Sequence, residues 1–502
     1  GAGAGGPSGG GGGPPASGSP MLPPCVHVGQ GTDYQVGPGK AYASIGDVPF
    51  ESLGAGDTVR IFWRDQPYHE KMMVSGTGTK EQPVRVCGVP GPNGELPVID
   101  GANATTRPQL DFPYDGHQPR GVIVVGHKHS DPWLTEPSNI VIEGLEIRNG
   151  SPENTFTDKS GQVQHYASDG AGIYVQRANG FTVRGCAVHD NNDGLFIGGG
   201  AGDELTQHVL VEANDVYQNG SLTDFYEHNI YNEVSDIVYQ YNHLGSPRAG
   251  TQGVLGANIK ERSAGVVIRY NWIEDGAHLL DIVDAQEAAG DTLPMASFHT
   301  TYVYGNVMIR NGDSGSMVLY GGDSGILTHY RKGTLYFYQN TVVVKNQAGH
   351  DYADTAVFEL STNDEHLQSI NNVFYSAVTP TPVRPVWLLG RRDNVVSGVA
   401  AFANDWMSNG WTPWDQIPGN TAQVTATITG LGGLMQGTDP GFVDASSANY
   451  APAAASPLVG AGQDLASVVP AADADVSQYV APQNGEPRAP EAQPTLGAFA
   501  AP

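Results

Sequence analysis

Cysteine is nearly missing from this chain. Of 502 residues only Cys25, Cys87 and Cys186 carry a thiol, and none forms the C-x-x-C spacing used for zinc, haem or redox chemistry. Cys25 and Cys87 both lie near the N-terminus, where a bridge between them is one open pairing; Cys186 sits in an apolar strand pattern and is expected in the core. Positive charge is scarce as well: 25 Lys and Arg face 52 Asp and Glu, a formal net charge of −27. That balance argues against general nucleic-acid binding, which takes a positive field along the backbone path. An anionic substrate would have to meet a local basic patch. No apolar run approaches the ~18 residues of a membrane-spanning helix.

Glycine and proline, at 67 and 35 residues, are abundant instead. Residues 1–20, GAGAGGPSGGGGGPPASGSP, offer nothing to bury and read as a flexible tether. With no initiator Met or leader ahead of it, the chain is expected to be a mature or trimmed form. A tether of this kind suits an extracellular or cell-surface protein anchored through its N-terminal linker. The remainder is long enough to bury a large core.

From about residue 139 one short phrase recurs: an apolar residue, two variable ones, usually Asn, one variable, then apolar. It reads IEGLEI (142–147), VRGCAV (183–188), VEANDV (211–216), YQYNHL (239–244), IRYNWI (268–273), VYGNVM (303–308), FYQNTV (337–342) and SINNVF (369–374). Its fourth position moves from Leu145 and Cys186 to Asn214, Asn242, Asn271, Asn306, Asn340 and Asn372, in steps of 28 to 41 residues. A period of that length implies a solenoid. The phrases are β-branched or aromatic, turn pairs such as Asn149-Gly150 and Asp275-Gly276 follow them, and no helical periodicity intervenes, so helical solenoids are excluded. Six successive Asn at one turn position imply a ladder in which each amide bonds the coils above and below. The fold class is therefore all-β, a right-handed parallel β-helix of roughly 9–12 coils. Residues 1–24 form the tether, 25–110 an N-terminal cap and first coils, 111–400 the central solenoid and 401–502 the last coils and closing segment.

A second strand follows each turn, and stacking the coils aligns these strands into one sheet. Its outward row is expected to hold Tyr174, Phe196, Tyr231, Lys260, Asp281, Tyr320 and Glu359, aromatic and chargeable as a carbohydrate groove should be. The segment GANIKER (256–262) is the pivot: with Ala257 and Ile259 inward, the period of two sends Asn258, Lys260 and Arg262 outward. The basic group His329, Arg331 and Lys332 would extend the groove for an acidic chain. His127 and His129 lack a third metal ligand at a defined spacing. Asp313, Asp323, Asp351, Asp354, Asp364 and Glu365 occupy Gly-rich turns where Ca2+ is the ion that could bind, although no EF-hand or nonapeptide pattern is present. Trp406, Trp411 and Trp414 are expected to cover the C-terminal end of the core.

The segments VGPGKAYASIGDVPFESLGAGDTVRI (36–61), Tyr68-His69-Glu70-Lys71, GTGTKEQPVRVCGVPG (76–91) and PVIDG (97–101) resemble the opening coils of secreted β-helix proteins of the polysaccharide lyase and chondroitinase B-like type. The tail SPLVGAG (456–462), followed by Arg488 and LGAF (496–499), is similar to their closing coil, so the resemblance spans roughly residues 34 to 499. Within it, the phrase from Tyr226 to Tyr231, then Lys260-Glu261-Arg262, then Asp281 resembles bacterial β-helix proteins with His-x-x-Tyr, Lys-x-Arg and a later Asp on successive coils. The resemblance implies an exported lyase that cleaves a uronate-containing polysaccharide by β-elimination. Lys260 would then be the base, Arg262 would pair with the uronate, and His228 or Tyr231 would protonate the leaving oxygen. Asp281, Asn258, Tyr174, Phe196, Tyr320, Glu359 and Arg331 would bind substrate.

This chain departs from that pattern in one respect. Where chondroitinase B-type lyases carry an Arg one coil after the Lys, it has Asp281 and Asp284, and a carboxylate there works against a free base. The same coils also resemble polygalacturonases through Asn191-Asn192-Asp193-Gly194, Asn214-Asp215 and His228, which would make Asp193 and Asp215 the acids of an inverting hydrolase. Asn214 belongs to the ladder, however, which would turn Asp215 away from the groove. A third reading is a non-enzymatic surface or fibre protein that self-assembles through its solenoid ends.

Overall fold

The structure, a computed structural model, describes residues 22–111, 118–198, 205–251, 253–311, 315–345, 355–377, 386–414 and 423–502. Residues 1–21 of the expected tether, and Asp313, Asp351 and Asp354 of the candidate calcium turns, lie outside them.

Among the described residues, three long sheets make the body. The first wall has 13 strands, running from Asp33–Val36 to Thr427–Thr429; the second has 11, from Met72–Val74 to Thr412–Trp414; the third has 11, from Val98–Asp100 to Met435–Gly437. Neighbouring strands in all three are parallel, as in Ser235–Gln240 beside Ala264–Arg269 and Ile259–Glu261 beside Leu280–Ile282. Each coil passes from the first wall to the third, then the second, and back to the first. The chain is thus a parallel β-helix.

The alternation that predicts these strands also fixes the core. In Ala264–Arg269, Val266 and Ile268 point inward while Val267 and Arg269 are half-exposed, Ala264 is buried in a separate cluster with Ala285 and Phe298, and the inward Ile, Val, Leu and Phe of all three walls form one continuous cluster. Each such side chain contributes about 1.5–3 kcal/mol by leaving water. The second wall differs, because its strands are buried on nearly every residue, as in Ala171–Val175 and Leu280–Ile282. Loops that leave this wall fold back over its outer side.

The predicted ladder is present at the turn between the first and third walls. Asn214, Asn242, Asn271, Asn306 and Asn340 each donate a backbone N–H and a side-chain N–H to the Oδ1 of the next Asn, at 2.9–3.1 Å. The row ends on Asp405, whose Oδ1 accepts both N–H groups of Asn372. The residue just before each rung adopts left-handed backbone geometry, including Ala213, Tyr241, Tyr270 and Gln339. For a bulky side chain that conformation costs roughly 1–2 kcal/mol, and the ladder bonds offset it.

A second ladder of Asn191, Asn219, Asn229 and Asn258 runs at the turn between the third and second walls. It corrects the reading of Asn258 as a groove residue. Its Oδ1 accepts from Asn229 at 2.6 Å and its Nδ2 donates to Glu274 O and Asp275 O, so the side chain holds coils together. Coils approach closely here: a Cβ on Gly256 would stand 2.3 Å from Glu227 O, so only glycine fits. Cys25 and Cys87 form a disulfide that ties the N-terminal segment to the first wall. Cys186 is buried, and its N–H donates to Asn214 Oδ1. Trp411 is buried in the main core with Trp414 packed on it, and Trp406 is buried in a separate cluster with Leu458 and Leu496.

Candidate active site

The second wall presents one outward row in exact pairing sequence: Tyr174, Phe196, Tyr231, Lys260, Asp281, Leu319, Glu359. Parallel pairing spaces these residues by ~4.8 Å per rung. Register decides one position against expectation. Leu319 takes the rung given to Tyr320, because Tyr320 pairs with the inward Ile282 and is buried in the core. The aromatic part of the row is continuous, with ring centroids 5.3 Å apart for Tyr174 and Phe196 and 4.8 Å for Phe196 and Tyr231. Tyr174 is closed off by Met73 and Leu110, whereas Phe196 and Tyr231 are half-exposed.

Beside Tyr231 lies a network of buried ions. Lys260, 6% exposed, donates from Nζ to Asp281 Oδ2 at 2.5 Å and to Asp323 Oδ2. Arg262 donates to Asp284 O at 2.6 Å and to Asp323 Oδ1 at 3.3 Å, and its guanidinium lies 5.9 Å from the Tyr231 ring. Asp284 accepts the Asp323 backbone N–H at 2.8 Å and the Ser324 hydroxyl. Burial raises the Asp281 carboxyl, but the Lys260 charge outweighs it and holds the group below the usual carboxylate range. Asp323 is likewise held low by Lys260 and Arg262 against the effect of burial. In this geometry Lys260 Nζ is committed to two carboxylates.

His228 lies on the preceding coil, stacked 6.2 Å from Tyr231. Its Nδ1 accepts the Ala257 N–H at 2.9 Å, and burial, with Lys260 adding to it, pushes its pKa down to about 3. The imidazole is therefore neutral at ordinary pH and carries its proton on Nε2. Burial also raises the Tyr231 phenol, whose Oη lies 3.4 Å from Glu287 Oε2. Glu287 adjoins Glu233, which accepts the backbone N–H groups of Gln286, Glu287 and Ala288. Burial, then contact with Glu287, lifts Glu233 to about 8.

The structure brings His228, Tyr231, Lys260, Arg262 and Asp281 together, with Phe196 one rung from Tyr231. Other candidates stand apart. Glu359 is two rungs beyond Asp281, behind Leu319, and binds Ser316 and Arg392. Arg331 is fully buried and donates to the carbonyls of Val283, Phe298, Glu261 and Ser263, so it corrects the reading of a groove-lining cation. Glu261 points inward, where Ser263 N–H and Tyr239 Oη bond it. Asp193 starts a second-wall strand and accepts the His228 N–H at 2.7 Å. Asp215 lies on the third wall, paired with His243 at 2.7 Å. The two acids of the hydrolase reading therefore occupy different walls and cannot flank one bond.

Sequence reading missed Glu227, Glu233 and Glu287 and saw Asp323 only as a calcium candidate. For Asp323 the one local signal is its Gly321-Gly322-Asp323 turn, since spacing does not foretell a reach across coils. Among the described residues, no group of three His, Cys, Asp or Glu is arranged to hold a metal ion. The residues here do not fit Ca2+, because Asp281 Oδ2 and the oxygens of Asp284 and Asp323 face Lys260, Arg262 and N–H or O–H donors.

No protein-family model and no curated protein matches this chain. Solved structures do. The chain is similar to an alginate lyase from Paenibacillus sp. str. FPU-7, at 12% identity over 77% of this chain and 94% of that one, with a TM-score of 0.39. It is also similar to the pectate lyase Pel9A, at 11% identity over 94% and 96% of the two chains, TM-score 0.42. A GH136 lacto-N-biosidase from Eubacterium ramulus matches at 13% identity over 80% of this chain and 67% of that one, TM-score 0.39.

A cavity of about 580 Å³ opens elsewhere, beneath the closing segment, lined by Leu465, Val469, Asp475 and Arg488 among others. It contains none of the candidate catalytic or substrate-binding residues read from the sequence.

Proposed function

We propose that this protein is a carbohydrate-active enzyme that binds an acidic polysaccharide along the outer side of the second wall. The observation that carries this reading is the run of Phe196 and Tyr231, in register, into the Lys260 and Arg262 cations. Aromatic faces stack sugar rings, and two adjacent cations suit a uronate carboxylate. The reaction such a site supports is β-elimination. Pairing the carboxylate with Lys260 and Arg262 drains charge from it and acidifies the proton on the adjacent carbon. The Glu287 carboxylate, 3.4 Å from the Tyr231 hydroxyl, takes that proton, Tyr231 gives its own to the leaving oxygen, and Glu287 then returns a proton to Tyr231. His228, neutral and held by Ala257, orients Tyr231 from behind. In this reading Lys260 acts as a carboxylate clamp and not as the base. Extracellular localisation and the polysaccharide partner belong to the same proposal.

Hydrolysis is the second reading, and Glu227 favours it. Burial and the neighbouring Asp224 lift this carboxyl to about 9, so it is a protonated acid one residue from His228. Incubation with alginate, pectate and glycosaminoglycans separates the two. Elimination creates an unsaturated, ultraviolet-absorbing end, and reducing ends that appear without absorbance would reject the lyase.

A further inference from the structure

Asp323 does not sit on the strand that carries the cations. It follows Gly321 and Gly322 on the turn that leaves the strand Gly315–Tyr320, two coils beyond Ile259–Glu261. From there its carboxylate reaches back and bridges the two cations, with Oδ2 on Lys260 Nζ and Oδ1 3.3 Å from Arg262 Nη2. The turn itself is held without that carboxylate, since the Asp323 N–H and the Ser324 hydroxyl both donate to Asp284. Solvent access also sets Asp323 apart. Its side chain is 26% exposed, against 7% for Asp281 and 0% for Asp284.

We infer that Asp323 is a built-in stand-in for a ligand carboxylate: its side chain fills a two-cation slot that an acidic sugar enters by displacing it. Rotation of one side chain empties the slot while the backbone turn stays on Asp284. Lys260 keeps Asp281, and Arg262 keeps the Asp284 carbonyl. Replacing one carboxylate by another leaves the charge of the buried network unchanged. A neutral sugar in the same place would leave a cation undercompensated away from water, which is costly.

The tethered carboxylate also competes at high effective concentration, millimolar or above for a short tether. A small free acid then binds poorly, while an acidic oligosaccharide gains from additional stacking on Phe196 and Tyr231. Asp323 therefore selects for charge and for chain length at once. This inference rests on the reading of the second wall as the substrate ledge.

The test titrates the full chain, as wild type, Asp323→Asn and Asp323→Glu, with glucuronate and galacturonate, and with glucose and galactose as neutral controls. Asp323→Asn is expected to bind the uronates at least ten-fold more tightly than wild type. Asp323→Glu should stay near wild type, and the neutral sugars should not respond. Asp323→Ser replaces the Asn variant if melting curves show that the latter does not fold. Equal uronate affinity in wild type and the charge-removed variant, or no uronate binding by either, overturns the inference. If wild type still cleaves an acidic polymer in that case, the proposed function stands without it. A ten-fold gain with no polymer cleaved by any variant keeps the slot and removes the enzymatic reading.

Discussion

Glu227 shows how much one residue depends on its surroundings. In the sequence it is one letter between Tyr226 and His228, on a segment read for its histidine. In the fold it lies against Gly256, with Oε2 buried and without a hydrogen-bond partner, and its pKa rises from 4.5 to about 9. The folded chain then holds a proton between those pH values that the unfolded chain has released. Linkage makes stability fall as pH rises through that window. Glu227→Gln keeps the neutral form, so its unfolding free energy relative to wild type should improve from pH 5 to pH 8. Urea melts at the two pH values measure this, and a constant difference would reject the shift. His228, Tyr231, Lys260, Arg262 and Asp281 were legible as a group because the coil period aligns them. Tyr320, Asn258 and Arg331 were misread because register and side-chain direction are settled by neighbouring coils.

At the scale of the element, the Asn ladder joins a sequence signal to a measurable energy. Asn306 accepts from the backbone and side chain of Asn271 and donates to Ile268 O, Tyr304 O and Asn340 Oδ1. Asn306→Ala strands several buried groups at about 1–3 kcal/mol each. A loss of at least ~3 kcal/mol is expected on denaturant unfolding. Asp405→Asn preserves an oxygen for Asn372 and should cost far less. Similar losses for both would mean that packing, rather than the amide row, sets the stability of the turn. The ladder's existence was readable from six Asn in phase. Its carboxylate terminus was not, because Asp405 occupies the Asn position in a phrase whose other letters are weak. The second ladder escaped notice since Asn191, Asn219, Asn229 and Asn258 follow no constant spacing.

For the molecule as a whole, the disulfide and the closing segment pin the two ends of a solenoid that otherwise gains each coil from its neighbours. Cys25 and Cys87 close a span of 62 residues, worth roughly 4 kcal/mol in chain entropy. Reduction is expected to lower the unfolding midpoint of the N-terminal coils, followed by hydrogen exchange across the first strands. Unchanged protection there would show that burial alone secures the cap. At the other end, Arg488 binds Asp475 at 2.6 Å and the carbonyls of Thr495, Gly497 and Phe499. Tyr338 and Tyr270 bond the same segment through Asp473 O and Val476 N. Among the described residues, no helix is long and apolar enough to cross a membrane.

The sequence by itself determined the architecture, because a side-chain period of two and a coil period near thirty residues are properties of the chain that any solution must respect. It also determined which coils carry the chargeable residues. Only the tertiary structure decided how those residues are bonded and how far they are buried. A carboxylate two coils away, invisible in any spacing, bridges Lys260 and Arg262, and the folded loops remove enough water to keep His228 neutral and Glu227 protonated.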